Sequence, residues 1–138
     1  MKANRITLVT LAVSDLARAR SYYEALGWIA EEAQAGVCFF DMGGMKFGLY
    51  DKAALAEDLG RPIESLGTGA MTLAQNFVTE AEVDAAYDAA LAAGGTACKP
   101  PVKVFWGGYS GTVADPDGHV WEYAMNPFWV LDDEGKLA

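Results

Sequence analysis

The sequence predicts an α+β fold made of two tandem βαβββ modules, and three observations carry that expectation. Gly94 stands 67 residues after Gly27, and each of these glycines closes a helically spaced apolar run. Each of those runs follows a stretch rich in aliphatic and β-branched residues. Each is also followed by three short apolar segments separated by turn residues. A repeat of this length is one supersecondary unit used twice, which places any shared site between the copies.

The first element, Arg5 to Val13, reads as a strand bounded by Ser14-Asp15, either of which can cap the helix that follows. Leu16, Ala19, Tyr23 and Leu26 recur at helical spacing, with Arg18, Arg20 and Glu24 on the wet face, and Gly27 ends the run. Trp28 to Ala33, Val37 to Met42 and Met45 to Tyr50 read as strands, the last two joined through Gly43-Gly44. A connector over 52–69 follows, in which Lys52 to Leu59 fits a short exposed helix. The second module opens with a strand over Thr72 to Val78. Thr79-Glu80-Ala81-Glu82 then has capping-box spacing, which satisfies free amides at a helix start. Val83, Ala86, Tyr87, Ala90 and Leu91 form the inward stripe, and Gly94-Gly95 stops the helix. Thr96 to Lys99, Tyr109 to Ala114 and Val120 to Met125 are the remaining strands. Pro100-Pro101 lacks two ladder donors and so excludes its neighbourhood from a central strand. The modules thus span about 5–51 and 70–127, and 128–138 forms a tail that docks through Phe128 to Leu131 and frays at its acidic end.

Composition narrows the function classes. A chain of 138 residues can bury roughly two thirds of its unfolded surface, so one domain over 1–138 needs no disulfide or metal to fold. The formal charge of -9 repels phosphate backbones and anionic lipid, which argues against nucleic acid and membrane partners. No run reaches the roughly 20 apolar residues of a membrane span, and no signal-peptide core follows Met1, so a cytoplasmic protein is expected. Cys38 and Cys98 have neither zinc-site nor redox-pair spacing and are expected to be buried free thiols. Ser14, Ser21, Ser65 and Ser110 have no base partner within reach of the single histidine, and the glycine-rich spots open no helix. Nucleophilic hydrolysis and phosphate-loop chemistry drop out.

Two stretches carry a family resemblance. Val13-Ser14-Asp15-Leu16 with Tyr22 to Trp28, together with Gly111 to Glu122 (GTVADPDGHVWE), resemble the glyoxalase, bleomycin resistance and extradiol dioxygenase group, the vicinal oxygen chelate superfamily. The resemblance spans about residues 5–127. It implies a mixed sheet curled around a shared cavity, a homodimer, and in the enzymes a divalent metal held by the first and last strands of each module.

Carried over by position, the resemblance implies ligand places at Leu8 and Gly48 in the first module and at Gln75 and Glu122 in the second. Leucine and glycine supply no donor, and catalytic metal sites usually need three protein ligands. No metal cofactor is therefore expected, and any ion would rest on Gln75 and Glu122 alone. His119 alternates with Glu122 along the strand and closes the Asp115-Pro116-Asp117-Gly118 turn, which makes it structural. Glu122 lies between Val120 and Ala124, where a carboxylate needs a counter-charge, a hydrogen-bond donor or a proton. Trp106-Gly107-Gly108-Tyr109 combines aromatic rings with a flexible loop, in a region that also holds Phe105, Trp121, Tyr123, Phe128 and Trp129.

Two function classes fit these residues. One is a metal-free module that binds a small aromatic or cationic molecule through Gln75, Glu122, Trp106 and Tyr109. Bleomycin resistance proteins, which the metal-poor pattern resembles, hold a large cationic ligand in an aromatic, acidic groove at the dimer interface, and the resemblance implies a cationic or flat aromatic ligand. The other is a metal-dependent lyase, isomerase or dioxygenase in which Glu122 is the base or a ligand to one divalent ion.

Overall fold

The computed structural model describes residues 3–31 and 36–138. The chain divides into two compact units, Met1–Gly67 and Thr68–Ala138. Each unit has its own mixed sheet, the first with three strands and the second with four.

In the first unit, β1 (Leu8–Val13) runs parallel to β3 (Lys46–Asp51), which pairs antiparallel with β2 (Val37–Asp41) on its other side. Helix α1 (Leu16–Ala25) begins where the Asp15 carboxylate accepts the Arg18 N–H at 3.0 Å. It buries Ala19, Tyr22 and Tyr23. The strand expected over Trp28 to Ala33 is reduced, in its described part, to a bridge between Ala30 and Phe40. The Glu31 N–H donates there to the Phe39 carbonyl at 2.8 Å. Residues 32 and 33 of that expected strand lie outside the described residues. Gly43-Gly44 does make the β2–β3 hairpin, with φ of 70° and 108°, values that L side chains adopt at a steric cost. Helix α2 (Lys52–Leu59) occupies the range expected for it in the connector.

The core of this unit is aromatic. Tyr23 lies 5.1 Å from Trp28 and 5.2 Å from Phe47 between ring centroids, and Trp28 meets Phe40 edge-on at 5.5 Å. Such tilted and edge-to-face pairs add about 0.5–1.5 kcal/mol each beyond the area they bury.

The second unit completes the pattern with β4 (Thr72–Phe77), α3 (Glu80–Ala92), β5 (Thr96–Lys103), β6 (Tyr109–Ala114) and β7 (Val120–Met125). The sheet order is β4-β7-β6-β5, with β4 parallel to β7 and the other pairs antiparallel. Thr79 caps α3 by accepting the Glu82 N–H at 3.2 Å, and its hydroxyl donates to the Glu82 carboxylate at 3.0 Å. Val83, Tyr87 and Ala90 face the sheet. Strand β5 continues through Pro100-Pro101, but at the sheet edge and with register shifts on both sides of Lys99, as two missing donors require. That edge position exposes Cys98, against the expectation of burial, whereas Cys38 on β2 is buried. After β7 the tail folds back as a small hairpin bridged between Leu131 and Leu137.

The two units match at a different offset from the one the glycines suggest. Strands β1 and β4 begin 64 residues apart at Leu8 and Thr72, as do the capping residues Asp15 and Thr79. Only the helix ends are 67 apart, because α3 has 13 residues and α1 has 10. The counterpart of Leu8 is therefore Thr72, not Gln75. Gly48 and Glu122 remain counterparts, since Lys46 is the first residue of β3 and Val120 the first of β7.

Among the described residues no helix is long and apolar enough to cross a membrane.

Candidate binding site

Strand alternation on β7 sets the site. Trp121 and Tyr123 are buried on the side covered by α3, so Glu122 and Ala124 project from the opposite face. In the ladders, Ala74 and Thr112 stand beside Glu122, and Asn76 and Ser110 stand beside Ala124. Directly paired residues share a face, so these six form two adjacent rows across three strands.

A hollow of about 250 Å³ opens on that face, lined by Ala74, Asn76, Ser110, Glu122 and Ala124 from the sheet. Trp106, Tyr109, Met125, Asn126 and Trp129 supply the remaining wall. Two loops place the indoles. The β5–β6 loop closes through Val104 N–H to Gly108 carbonyl at 2.9 Å and Gly107 N–H to Val104 carbonyl at 3.0 Å. It folds Trp106 over Gly108, where a Cβ would run into the indole ring. After β7, the Asn126 side-chain oxygen accepts the Phe128 N–H at 2.9 Å, and the Asn126 carbonyl accepts the Trp129 N–H at 3.2 Å. That turn brings Trp129 to the hollow, and Phe128 meets the Trp106 ring at 6.4 Å. Both indoles stay about half exposed, Trp106 at 44% and Trp129 at 52%.

Among the described residues, Glu122 is the only carboxylate that lines the hollow. Within this unit, among the described residues, no hydrogen bond or ion pair engages it. The small side chains of Ala74 and Ala124 beside it leave its head open to a ligand.

The expected contacts are only partly brought together. Glu122, Trp106 and Tyr109 share the hollow. The Tyr109 phenol, however, donates to Asp84 of α3 at 2.6 Å, and this bond, with the nearby negative charge, pushes its pKa up to about 12. Tyr109 pairs with Met125 in the ladder, so its side chain projects to the helix side, the face of Tyr123, and brings no hydroxyl to Glu122. Gln75 pairs with Tyr123 in the ladder and so projects to the helix side, away from Glu122. The expectation that Gln75 and Glu122 meet fails on this parity. His119 behaves as a turn residue: its N–H donates to the buried Asp115 carboxylate at 2.9 Å and its carbonyl accepts the Asp115 N–H at 2.8 Å. Asn76, Ser110 and Asn126 were not singled out by sequence. Placing Asn76 needed the β4–β7 register, and placing Ser110 the β6–β7 register.

The donor set does not fit a divalent ion held between the first and last strands of this unit. Beside Glu122 on β4 stands Ala74, which has no donor, and Thr72, the counterpart of Leu8, offers a neutral hydroxyl outside the usual zinc or iron ligand types. In the first unit the corresponding positions are Leu8 and Gly48, and neither has a donor.

A four-stranded mixed sheet backed by one helix, preceded by a shorter version of the same unit, defines a doubled βαβββ protein with a hollow on the sheet face away from the helix. The family profile of the Glyoxalase/Bleomycin resistance protein/Dioxygenase superfamily matches residues 5–123, and the chain belongs to that superfamily. It is 34% identical to a glyoxalase-related enzyme from Fulvimarina pelagi, with a TM-score of 0.89 over 97% of this chain and 96% of that one. It also has the fold of a glyoxalase/bleomycin resistance protein/dioxygenase family enzyme from Burkholderia phytofirmans, at 22% identity, a TM-score of 0.77, and 86% and 96% coverage. A lactoylglutathione lyase from Agrobacterium tumefaciens shares the fold at 21% identity, a TM-score of 0.72, and 95% and 100% coverage. No curated protein matches the chain.

Proposed function

We propose that this protein binds a small aromatic or cationic molecule in the hollow of its second unit, without a metal ion. The observation that carries this reading is the setting of Glu122: one unengaged carboxylate between two alanines, walled by Trp106 and Trp129. A carboxylate in an apolar wall favours a positive charge or a strong donor, and indole faces favour cations and flat rings. The resemblance to bleomycin resistance proteins points the same way. It also implies a homodimer, and the exposed Phe105, Phe128 and Val130 offer apolar surface that a second copy would cover.

Chelator and metal titrations test the metal-free reading. The thermal midpoint is expected to stay unchanged in chelator, and no divalent ion should raise it, because only a bound species stabilises by mass action. About one metal per chain, lost in Glu122→Ala, would overturn the proposal in favour of a metal-dependent lyase, isomerase or dioxygenase. Light scattering is expected to give a mass near twice 14.7 kDa.

A further inference from the structure

We infer that the hollow recognises a primary ammonium attached to a single aromatic ring. This inference rests on the binding reading above and narrows it. Ala124 forms a methyl floor, flanked across the ladder by Asn76 on β4 and Ser110 on β6. Glu122 stands two residues away on the same strand and the same face. Adjacent strands lie about 4.8 Å apart, and same-face residues on one strand about 6.6 Å apart. A nitrogen seated over the Ala124 methyl is therefore within side-chain reach of all three polar groups. The Asn76 carboxamide oxygen, the Ser110 hydroxyl and the Glu122 carboxylate can each accept a hydrogen bond, and a primary ammonium has three to donate. Within this unit, among the described residues, no hydrogen bond holds these three side chains.

Size and walls set the rest of the ligand. About 250 Å³ is below the roughly 300–1,000 Å³ that holds a drug-sized molecule, so one ring and a short chain fill it. Trp106 and Trp129 offer that ring aromatic surface. A fully methylated ammonium would keep its attraction to the indoles but could donate to none of the three acceptors. The polar triangle, rather than the aromatic wall, should decide between them.

Isothermal titration with phenethylamine, its N,N,N-trimethyl counterpart and 2-phenylethanol tests the inference. Phenethylamine is expected to bind about tenfold or more tighter than either of the others, as for a charge-assisted hydrogen-bonded group against one that lacks donors. Ser110→Ala and Asn76→Ala should each weaken phenethylamine several-fold while leaving the trimethyl compound unchanged, which also shows that the variants are folded. Glu122→Gln should weaken both cations. Equal or tighter binding of the trimethyl compound would overturn the ammonium assignment and leave a cation site standing. Equal binding of the alcohol, unmoved by Glu122→Gln, would overturn the charge assignment and leave an aromatic site. Failure of all three to bind overturns the inference, while the metal titration separately decides the reading beneath it.

Discussion

The two units answer one structural problem with opposite uses of the same sheet face. At the position where β7 carries Glu122, β3 carries Gly48, and a Cβ there would lie 3.2 Å from the Phe39 ring and 3.5 Å from a Leu8 methyl. Phe39 is paired with Gly48 across the ladder, where Thr112 is paired with Glu122. The first unit therefore closes this face with hydrocarbon, and the second leaves it open around a carboxylate. Aromatic residues divide in the same way. Tyr23, Phe40 and Phe47 form a contiguous interior, whereas Trp106, Phe128 and Trp129 lie at the surface around the hollow. The first unit turns its aromatic rings inward, and the second keeps three of them at the surface beside Glu122.

The largest test of that contrast compares aromatic truncations. Phe40→Ala removes a ring that is 1% exposed and touches Tyr23, Trp28 and Phe47, so it should cost about 3–5 kcal/mol of stability. Trp106→Ala removes a half-exposed ring and should cost under about 1 kcal/mol, while abolishing most ligand binding. Denaturant unfolding of both variants measures the difference. Equal losses would show that the rim tryptophan is as structural as the core.

A second, smaller effect comes from placing the carboxylate of one unit into the other. Gly48→Glu must push the Phe39 ring aside and set a charge among Phe39 and Leu8, at an expected cost of about 1–3 kcal/mol. Glu122→Gly, its mirror, is expected to lose ligand binding with a stability change of about 1 kcal/mol, set by glycine in a strand rather than by lost contacts. Comparable destabilisation by the two would mean that Glu122 is held by packing, against the open setting described above.

How much of this was legible in sequence depended on range. Features decided within a few residues were readable: the Asp15 and Thr79 caps, the Gly43-Gly44 hairpin, α2, and the edge position of the Pro100-Pro101 strand. Pairing between strands was not readable, and the site depends on it. The glycines that end the two helices looked like equivalent markers, but the longer α3 shifts everything before them by about one helical turn, which is why Gln75 was matched to Leu8 and set on the wrong face. The sorting of aromatics was equally hidden. Phe40 and Phe47 become interior because β2 and β3 pair under α1, and loop residues such as Trp106 and Trp129 follow no period that would mark them as rim.

The smallest effect concerns pH and separates two tyrosines of the second unit. Burial, together with the charge of Asp115, pushes the Tyr123 phenol up to about 12, while Tyr109 reaches about 12 chiefly through its bond to Asp84. A phenol whose folded pKa is raised above its unfolded value near 10 holds its proton more tightly when folded. Its contribution is complete below pH 10 and is lost as pH rises from about 10 towards 12. The Tyr123 contribution should therefore be constant up to about pH 10 and fall above it. Tyr123→Phe is expected to flatten that fall, because it removes the buried ionisation and keeps the ring. Tyr109→Phe should change it less, since its hydroxyl and Asp84 stand at the surface, where solvent screens their interaction. Equal flattening by both variants would show that surface hydrogen bonding, and not burial behind the sheet, governs the alkaline limb.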